Sequence, residues 1–280
     1  MRRRPPRSTR FASTAHLRSR QGQSAITGAH HVYPTMDDLV RALASRLLAL
    51  ALEKVARKDG PFRMALSGGS TPQRLYALMA SPAYAQRFPW QQMQFFVGDD
   101  RFVPHDHADS NAGMFRRLLL SQVPVPESAI FLMPDSGTPQ DAAASYEATL
   151  RAQYGSTTLH PDRPLFDVTL LGLGTDGHTA SLFPTQPVLS ERTAWVAPCT
   201  PTTAPHTRLT LTYPALHASQ HIIFLAEGAG KADILAQVRT TGSPYPASAI
   251  TAMGDVSWFV DQAAAPSHPL DTHTATGPDA

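Results

Sequence analysis

The chain has 280 residues, 42% apolar and 16% charged, with one cysteine and a formal net charge of +2. Its longest apolar runs, such as His221 to Ala226, are strand-sized and far short of the roughly 20 residues of a membrane span, and the lone Cys199 excludes an intramolecular disulfide or a Cys-based zinc site. The charge is uneven: residues 1–28 hold seven arginines and no Asp, Glu or Lys, so removing them takes the formal charge from +2 to −5 and leaves a body with no basic surplus for nucleic acid.

The Arg-, Ser- and Thr-rich stretch 1–28 reads as a disordered leader, either an organellar transit peptide or an extension with no role; it lacks the apolar core of a secretory signal. From Met36, the positions Met36, Leu39, Val40, Leu43, Leu47, Leu50 and Val55 recur at helical spacing, giving a long amphipathic helix that ends near Asp59-Gly60-Pro61. Strands are then expected near 62–67, 93–98, 129–133, 166–171, 194–197, 207–212, 220–226 and 256–260, and helices near 72–80, 110–120, 139–153, 178–183 and 228–238. Several strands are continuous apolar runs, as when helices cover both faces of a mainly parallel sheet. The expected fold is therefore α/β, a three-layer Rossmann-like sandwich in one domain over 29–262, with a disordered Pro-containing tail over 263–280. Sheets of this kind bind ligands at the carboxyl ends of their strands, and the segments below follow strands.

Ser67-Gly68-Gly69-Ser70-Thr71-Pro72 lies between a strand and a helix. Glycines let the backbone approach an anion, hydroxyls add donors, and proline at the first helical position gives up an N–H that has no partner there. The outline is a phosphate cradle without the Gly-Lys-Ser/Thr of a nucleotide loop; a plain capped turn is the alternative. Next comes Gly98-Asp99-Asp100-Arg101-Phe102-Val103-Pro104, running on to Asp109-Ser110-Asn111. Asp99 and Arg101 either point into one crevice, with the guanidinium as a fork for phosphate or oxyanion, or form a local ion pair. His105-Asp106-His107-x-Asp109 has neither helical i, i+4 spacing nor an evident third distant ligand, so no metal site is expected there. The pair His30-His31, read as part of the leader region, is a weaker metal candidate still.

Residues 166–184, FDVTLLGLGTDGHTASLFP, carry an apolar strand into a glycine-rich turn that presents Asp176 and His178, expected at the start of a helix. An acid and an imidazole beside unpaired backbone N–H groups suit general-base chemistry on an anionic substrate. Gly172-x-Gly174-x-x-Gly177 has dinucleotide-fingerprint spacing, but Asp176 inside the loop, several earlier strands and Glu191 in a polar stretch argue against that use. Arg208 begins the strand-like run Arg208-Leu209-Thr210-Leu211-Thr212, and Lys231 sits at the amino end of the helix expected after Gly228-Ala229-Gly230. A lysine there opposes the helix dipole unless it serves an anion, although a solvated lysine is the commoner case.

These segments together resemble the 6-phosphogluconolactonase family, whose signature G-x-G-x-DGHTASLFP agrees at eleven positions, nine of them contiguous from Asp176 to Pro184 and including Asp176-Gly177-His178-Thr179. Similar too are the family's SGGSTP loop at Ser67 to Pro72, its R-x-TLT segment at Arg208, its G-x-x-KA segment at Lys231 and its W-x-DER-x-VP…SN motif. The last has two departures: Val97 or Gly98 stands where an aromatic is common, and Asp100 replaces the usual glutamate, which puts that carboxylate's contacts in doubt. The resemblance covers about residues 30–262. It implies the fold of the glucosamine-6-phosphate deaminase and ribose-5-phosphate isomerase group and hydrolysis of 6-phospho-D-glucono-1,5-lactone to 6-phosphogluconate in the oxidative pentose phosphate pathway. No metal and no organic cofactor are implied.

On that reading His178 takes a proton from water, Asp176 orients the imidazole, Arg101 and glycine-turn N–H groups face the oxyanion, and Arg208 and Lys231 grip the phosphate. Ser67, Gly68, Gly69, Ser70 and Asp99 complete the binding set. The partner is a small sugar-phosphate lactone, not nucleic acid or membrane; a monomer and a cytoplasmic location are favoured, an organelle being the alternative if the leader is a transit peptide. A deaminase or isomerase of the same fold is the nearest rival. That branch continues DGH with a further glutamate, whereas this chain has Ser181-Leu182-Phe183-Pro184 and no acid before Glu191. A non-catalytic sugar-phosphate-binding protein would need the cradle but not the Asp-Gly-His turn.

Overall fold

The computed structural model describes residues 28–266, so the expected leader over 1–28 and the tail over 263–280 lie almost wholly outside the described residues. Of the tail, residues 263–265 form a turn on Asp261, whose carboxylate accepts from the Ala264 N–H at 2.8 Å while Ala264 itself is buried.

Strand β1 (Ala29–Tyr33) opens the described chain and contains His30 and His31, so these histidines belong to the folded sheet rather than to a leader. Their polarity hides the strand from a reading based on apolar runs. Helix α1 (Met36–Ala56) starts where Thr35 accepts a hydrogen bond from the Asp38 N–H, with Asp37 and Asp38 in the electropositive first turn. Its stripe from Leu39 through Ala51 is buried as the spacing predicts. The remaining strands are β2 (Phe62–Leu66), β3 (Met93–Val97), β4 (Asp99–Arg101), β5 (Ile130–Phe131), β6 (Phe166–Gly172), β7 (Val196–Cys199), β8 (Arg208–Leu211), β9 (Ser219–Ala226) and β10 (Asp255–Asp261). The remaining helices are α2 (Ser70–Met79), α3 (Pro82–Ala85), α4 (Asn111–Phe115), α5 (Pro139–Tyr154), α6 (Tyr213–His217) and α7 (Ala232–Val238).

Seven strands form one parallel sheet in the order β1-β10-β9-β6-β2-β3-β5. The central β2 and β6 read as apolar runs because both faces are covered: Met64, Ala65, Leu66, Val168, Leu170 and Leu171 are all buried. The expected mainly parallel α/β architecture is what forms.

Three strands depart from that expectation. β4, β8 and β7 make a separate antiparallel sheet beyond the carboxyl end of β3. Gly98 joins the two sheets: its N–H donates to the Leu66 carbonyl at 2.9 Å and its carbonyl accepts from Leu211 N–H at 2.8 Å. The register then pairs Asp99 with Thr210 and Arg101 with Arg208. Residues distant in sequence thus meet at one end of the main sheet.

The helix expected at 178–183 does not form. Ala180 has φ 47°, a left-handed conformation incompatible with an α-helix, and a bridge joins Thr179 to Leu182. Thr179, Ser181, Leu182 and Phe183 are all buried, so the segment has no polar face for a surface helix to turn outward. Its hydroxyls instead tie it to its surroundings, Thr179 to the Gly172 carbonyl at 2.8 Å and Ser181 to Asp99 at 2.7 Å.

Candidate active site

Two buried tyrosines fix the strand ends on which the site is built. The Tyr76 hydroxyl donates to the Ser67 carbonyl at 2.8 Å and accepts from the Ser67 N–H at 3.0 Å, just past β2. Tyr146 does the same for Val97 at the end of β3, at 3.1 Å and 2.7 Å. Each clamp satisfies both backbone groups of a residue where the sheet ladder stops, which keeps the following loop in place.

Beyond these ends opens a crevice of about 230 Å³ lined by Ser67, Gly68, Gly69, Asp99, Arg101, Asn111, Gly174, His178, Arg208 and Lys231. Eight of the ten site residues named from the sequence therefore line one space. Asp176 stands behind His178 instead, and the Ser70 hydroxyl donates to Glu227 at 2.6 Å. A larger cavity of about 750 Å³ lies at the amino ends of the strands, around Arg46, Lys54, Arg63, Asp167 and His221, and holds none of the predicted site residues.

The cradle owes its shape to glycine. Gly69 caps α2 with φ 112° and ψ 167°, a region essentially closed to other residues, and no side chain caps the helix. Its first-turn N–H groups thus lack an intrahelical partner and a side-chain cap, the arrangement that attracts anions at helix starts.

Across the crevice, Asp99 and Arg101 do not form the local ion pair allowed by their spacing. Asp99 accepts from the Ser181 hydroxyl, while Arg101 Nη1 donates to the Asp109 carbonyl at 2.7 Å and to Asn111 Oδ1 at 3.3 Å. Asn111 Nδ2 donates in turn to the Asp99 carbonyl at 2.9 Å, so this side chain braces both residues. Asp100, the shortened carboxylate, is fully engaged: it accepts from the N–H groups of Arg101, Asn111 and Ala112 at 2.6–2.9 Å and so caps the start of α4. Burial still pushes its carboxyl above the ordinary value, against the pull of those backbone bonds.

Asp176 and His178 are brought together by a turn in which Gly174 N–H donates to the His178 carbonyl at 2.8 Å. A Cβ on Gly174 would sit 2.1 Å from His178 Nδ1, so only glycine allows this approach. Nδ1 of His178 lies 2.5 Å from Asp176 Oδ1, and the ring stacks on Phe183 with centroids 4.1 Å apart. Desolvation would raise the Asp176 carboxyl, but the hydrogen bond and charge of His178 outweigh it and hold it below the ordinary carboxylate value. An ionised Asp176 only accepts, which favours the proton on Nδ1 of the neutral imidazole and leaves the Nε2 lone pair free to accept.

The two cations close the crevice. Arg208 is buried, its guanidinium centred 5.1 Å over the Phe183 ring, and its Nε has no partner among the described residues. Burial lowers its pKa, partly opposed by Asp99. Lys231 donates to the Leu173 carbonyl at 2.7 Å; burial lowers its pKa while Asp176 and Glu227 oppose the shift.

Sequence reasoning missed three contributors. Asn111 was visible in the Ser110-Asn111 segment without a role. Phe183 stands under both His178 and Arg208, which no spacing rule connects. His206 lies against Asp109, Nε2 to Oδ2 3.0 Å, across 97 positions of sequence.

The profile of the family described as glucosamine-6-phosphate isomerases/6-phosphogluconolactonase matches residues 34–258. The 6-phosphogluconolactonase of a Nostoc species is 39% identical over 80% of this chain and 92% of its own. The chloroplastic 6-phosphogluconolactonase 3 of Arabidopsis thaliana is 33% identical over 83% of this chain and 73% of its own. Among solved structures, the 6-phosphogluconolactonase of Trypanosoma brucei superposes with a TM-score of 0.73 at 28% identity, covering 85% of this chain and 98% of that one.

Proposed function

Because the chain belongs to the glucosamine-6-phosphate isomerase/6-phosphogluconolactonase family, we propose that its crevice hydrolyses 6-phospho-D-glucono-1,5-lactone to 6-phosphogluconate, the lactonase step of the oxidative pentose phosphate pathway. The observation that carries this reading is the Asp176–His178 pair opening on the same crevice as two cations and an uncapped helix start. Water beside Nε2 of His178 loses a proton to it as its oxygen bonds to the lactone carbonyl carbon. The negative charge that develops on the carbonyl oxygen is met by Arg101 and the N–H groups of the glycine turns. When the tetrahedral intermediate collapses, the bond from that carbon to the ring oxygen breaks and His178 returns the proton to the departing oxygen. Asp176 holds the ring and stabilises its cationic form. Arg208, Lys231 and the first turn of α2 receive the phosphate with Ser67, Gly68, Gly69 and Ser70, the last through its backbone N–H since its hydroxyl is held by Glu227.

The deaminase reading is weaker. Asp99 is the one acid lining the crevice among the described residues, and it is bonded to Ser181. Glu191 turns its carboxylate onto the N–H groups of Arg192, Thr193 and Ala194 instead. Among the described residues no helix is long and apolar enough to cross a membrane. For location we favour the cytoplasm, with an organelle as alternative, and for assembly a monomer. Lactone hydrolysis assayed beside glucosamine-6-phosphate deamination on one purified sample tests the function: hydrolysis well above the spontaneous rate supports it, and deamination in its place refutes it.

A further inference from the structure

The loop between β4 and α4 and the hairpin between β7 and β8 meet at the surface next to the crevice, and three side chains face one another there. His206 Nε2 lies 3.0 Å from Asp109 Oδ2, His107 Nδ1 lies 3.9 Å from the same oxygen, and the two imidazoles stand edge to face with centroids 5.5 Å apart. One ligand atom from each of the three residues falls within a 4.8 Å span. Two ligand atoms on one tetrahedral zinc ion lie about 3.4 Å apart, so side-chain rotations that also release His107 Nδ1 from the Asp109 N–H, which donates to it at 3.1 Å, bring all three into range. The sequence motif contributed two of these residues; the distant third ligand that it lacked is His206.

The backbone supports the placement. His206 has φ 68°, a left-handed conformation uncommon outside glycine, and this turns its ring toward Asp109. The loop is held from both sides, His107 N–H donating to the Pro104 carbonyl at 2.9 Å and Phe102 N–H donating to the Thr207 carbonyl at 2.7 Å. His105 is not part of the group, because its Nε2 lies 2.8 Å from the Met133 carbonyl. All three ligand side chains are partly exposed, so an ion can enter from solvent.

We propose that His107, Asp109 and His206 form a site for one divalent transition-metal ion of the zinc, nickel or copper class. Two imidazoles and one carboxylate suit those ions, with water completing the shell. The site would be structural. Asp109 gives its backbone carbonyl to Arg101, and His206 stands two residues before Arg208, so a bound ion ties together the two segments whose cations line the crevice. The inference does not depend on the lactonase reading.

The test uses full-length, tag-free protein stripped with a chelator and titrated with zinc chloride against a chromophoric competitor, and with cobalt chloride followed by its visible absorption. His206→Asn removes the imidazole while keeping a residue that tolerates the left-handed backbone; His107→Gln is the second variant. Expected is one equivalent bound per chain, with affinity falling roughly tenfold or more in each variant, and a zinc-induced rise in Tm of about 5 °C at 100 times the wild-type Kd that falls to about half or less in each variant. No binding tighter than about millimolar, or titrations that both variants leave unchanged, would overturn the assignment.

Discussion

Nδ1 of His178 and Oδ1 of Asp176 lie 2.5 Å apart, two residues from each other on one turn. The same oxygen also accepts from the His178 backbone N–H at 3.2 Å, so one carboxylate sets both the entry of the chain and the orientation of the ring. The geometry at Nε2 therefore depends on Asp176 as much as on the imidazole itself.

Asp176→Asn should keep the turn but offer Nδ1 an amide that can donate, favouring the wrong tautomer. The expected result is a fall in kcat of roughly 10²-fold or more with KM within a few-fold of wild type, read from pH–rate profiles of both proteins. A variant with unchanged kcat would remove Asp176 from the reaction.

Gly174→Ala places a methyl group 2.1 Å from His178 Nδ1 and 2.6 Å from Asp176 Oδ1, so the pair must move apart. Activity should drop by about tenfold or more, since misplacement of about 1 Å can cost 10²-fold. The Tm should change by only a few degrees, because the turn borders the crevice. Full activity with the alanine in place would mean the pair has slack that the geometry does not show.

Arg208→Ala and Lys231→Ala should mainly raise KM for the phosphorylated lactone, because phosphate contacts are present in ground and transition states alike. A charge-assisted contact contributes about 1.5–3 kcal/mol, a factor of roughly 10–150. Unphosphorylated gluconolactone should be a poor substrate for wild type and be nearly insensitive to both changes. Equal use of the two lactones by wild type would contradict the phosphate assignment.

His30 predicts a pH effect on stability. Burial, with help from Arg239 and His31, depresses its pKa from 6.5 to about 4, and its Nε2 has no partner among the described residues. The unfolded chain therefore binds a proton that the folded chain resists between about pH 6.5 and pH 4. Stability should be full above that window and fall as pH drops through it, by up to about 3 kcal/mol. Denaturant unfolding at pH 7.5, 5.5 and 4 should show a shallower loss in His30→Leu than in wild type; identical slopes would assign the acid sensitivity elsewhere.

Much of this site was legible because its residues sit in contiguous runs. Ser67 to Pro72 and Asp176 to Pro184 each carry their chemistry within a few positions, and apolar runs such as Leu170-Leu171 marked the central strands. Three things were hidden for distinct physical reasons. The helix expected after His178 was an error of local reading, since the left-handed Ala180 and the buried side chains of Thr179, Ser181, Leu182 and Phe183 follow from tertiary packing that no periodicity reports. β1 was missed because His30 and His31 are polar, although the strand is held by pairing with β10. The small antiparallel sheet depends on Gly98 bonding to both Leu66 and Leu211, a junction across more than a hundred residues. His206 is invisible for the same reason.

The central claim is that His178 carries the proton in lactone hydrolysis, and kcat of His178→Asn on 6-phosphogluconolactone tests it most directly. Initial rates are taken with the spontaneous hydrolysis subtracted, and binding of 6-phosphogluconate is measured on the same preparation. The account predicts a fall in kcat of roughly 10²-fold or more with product affinity within a few-fold of wild type. Turnover within a few-fold of wild type, with the imidazole gone, would contradict it.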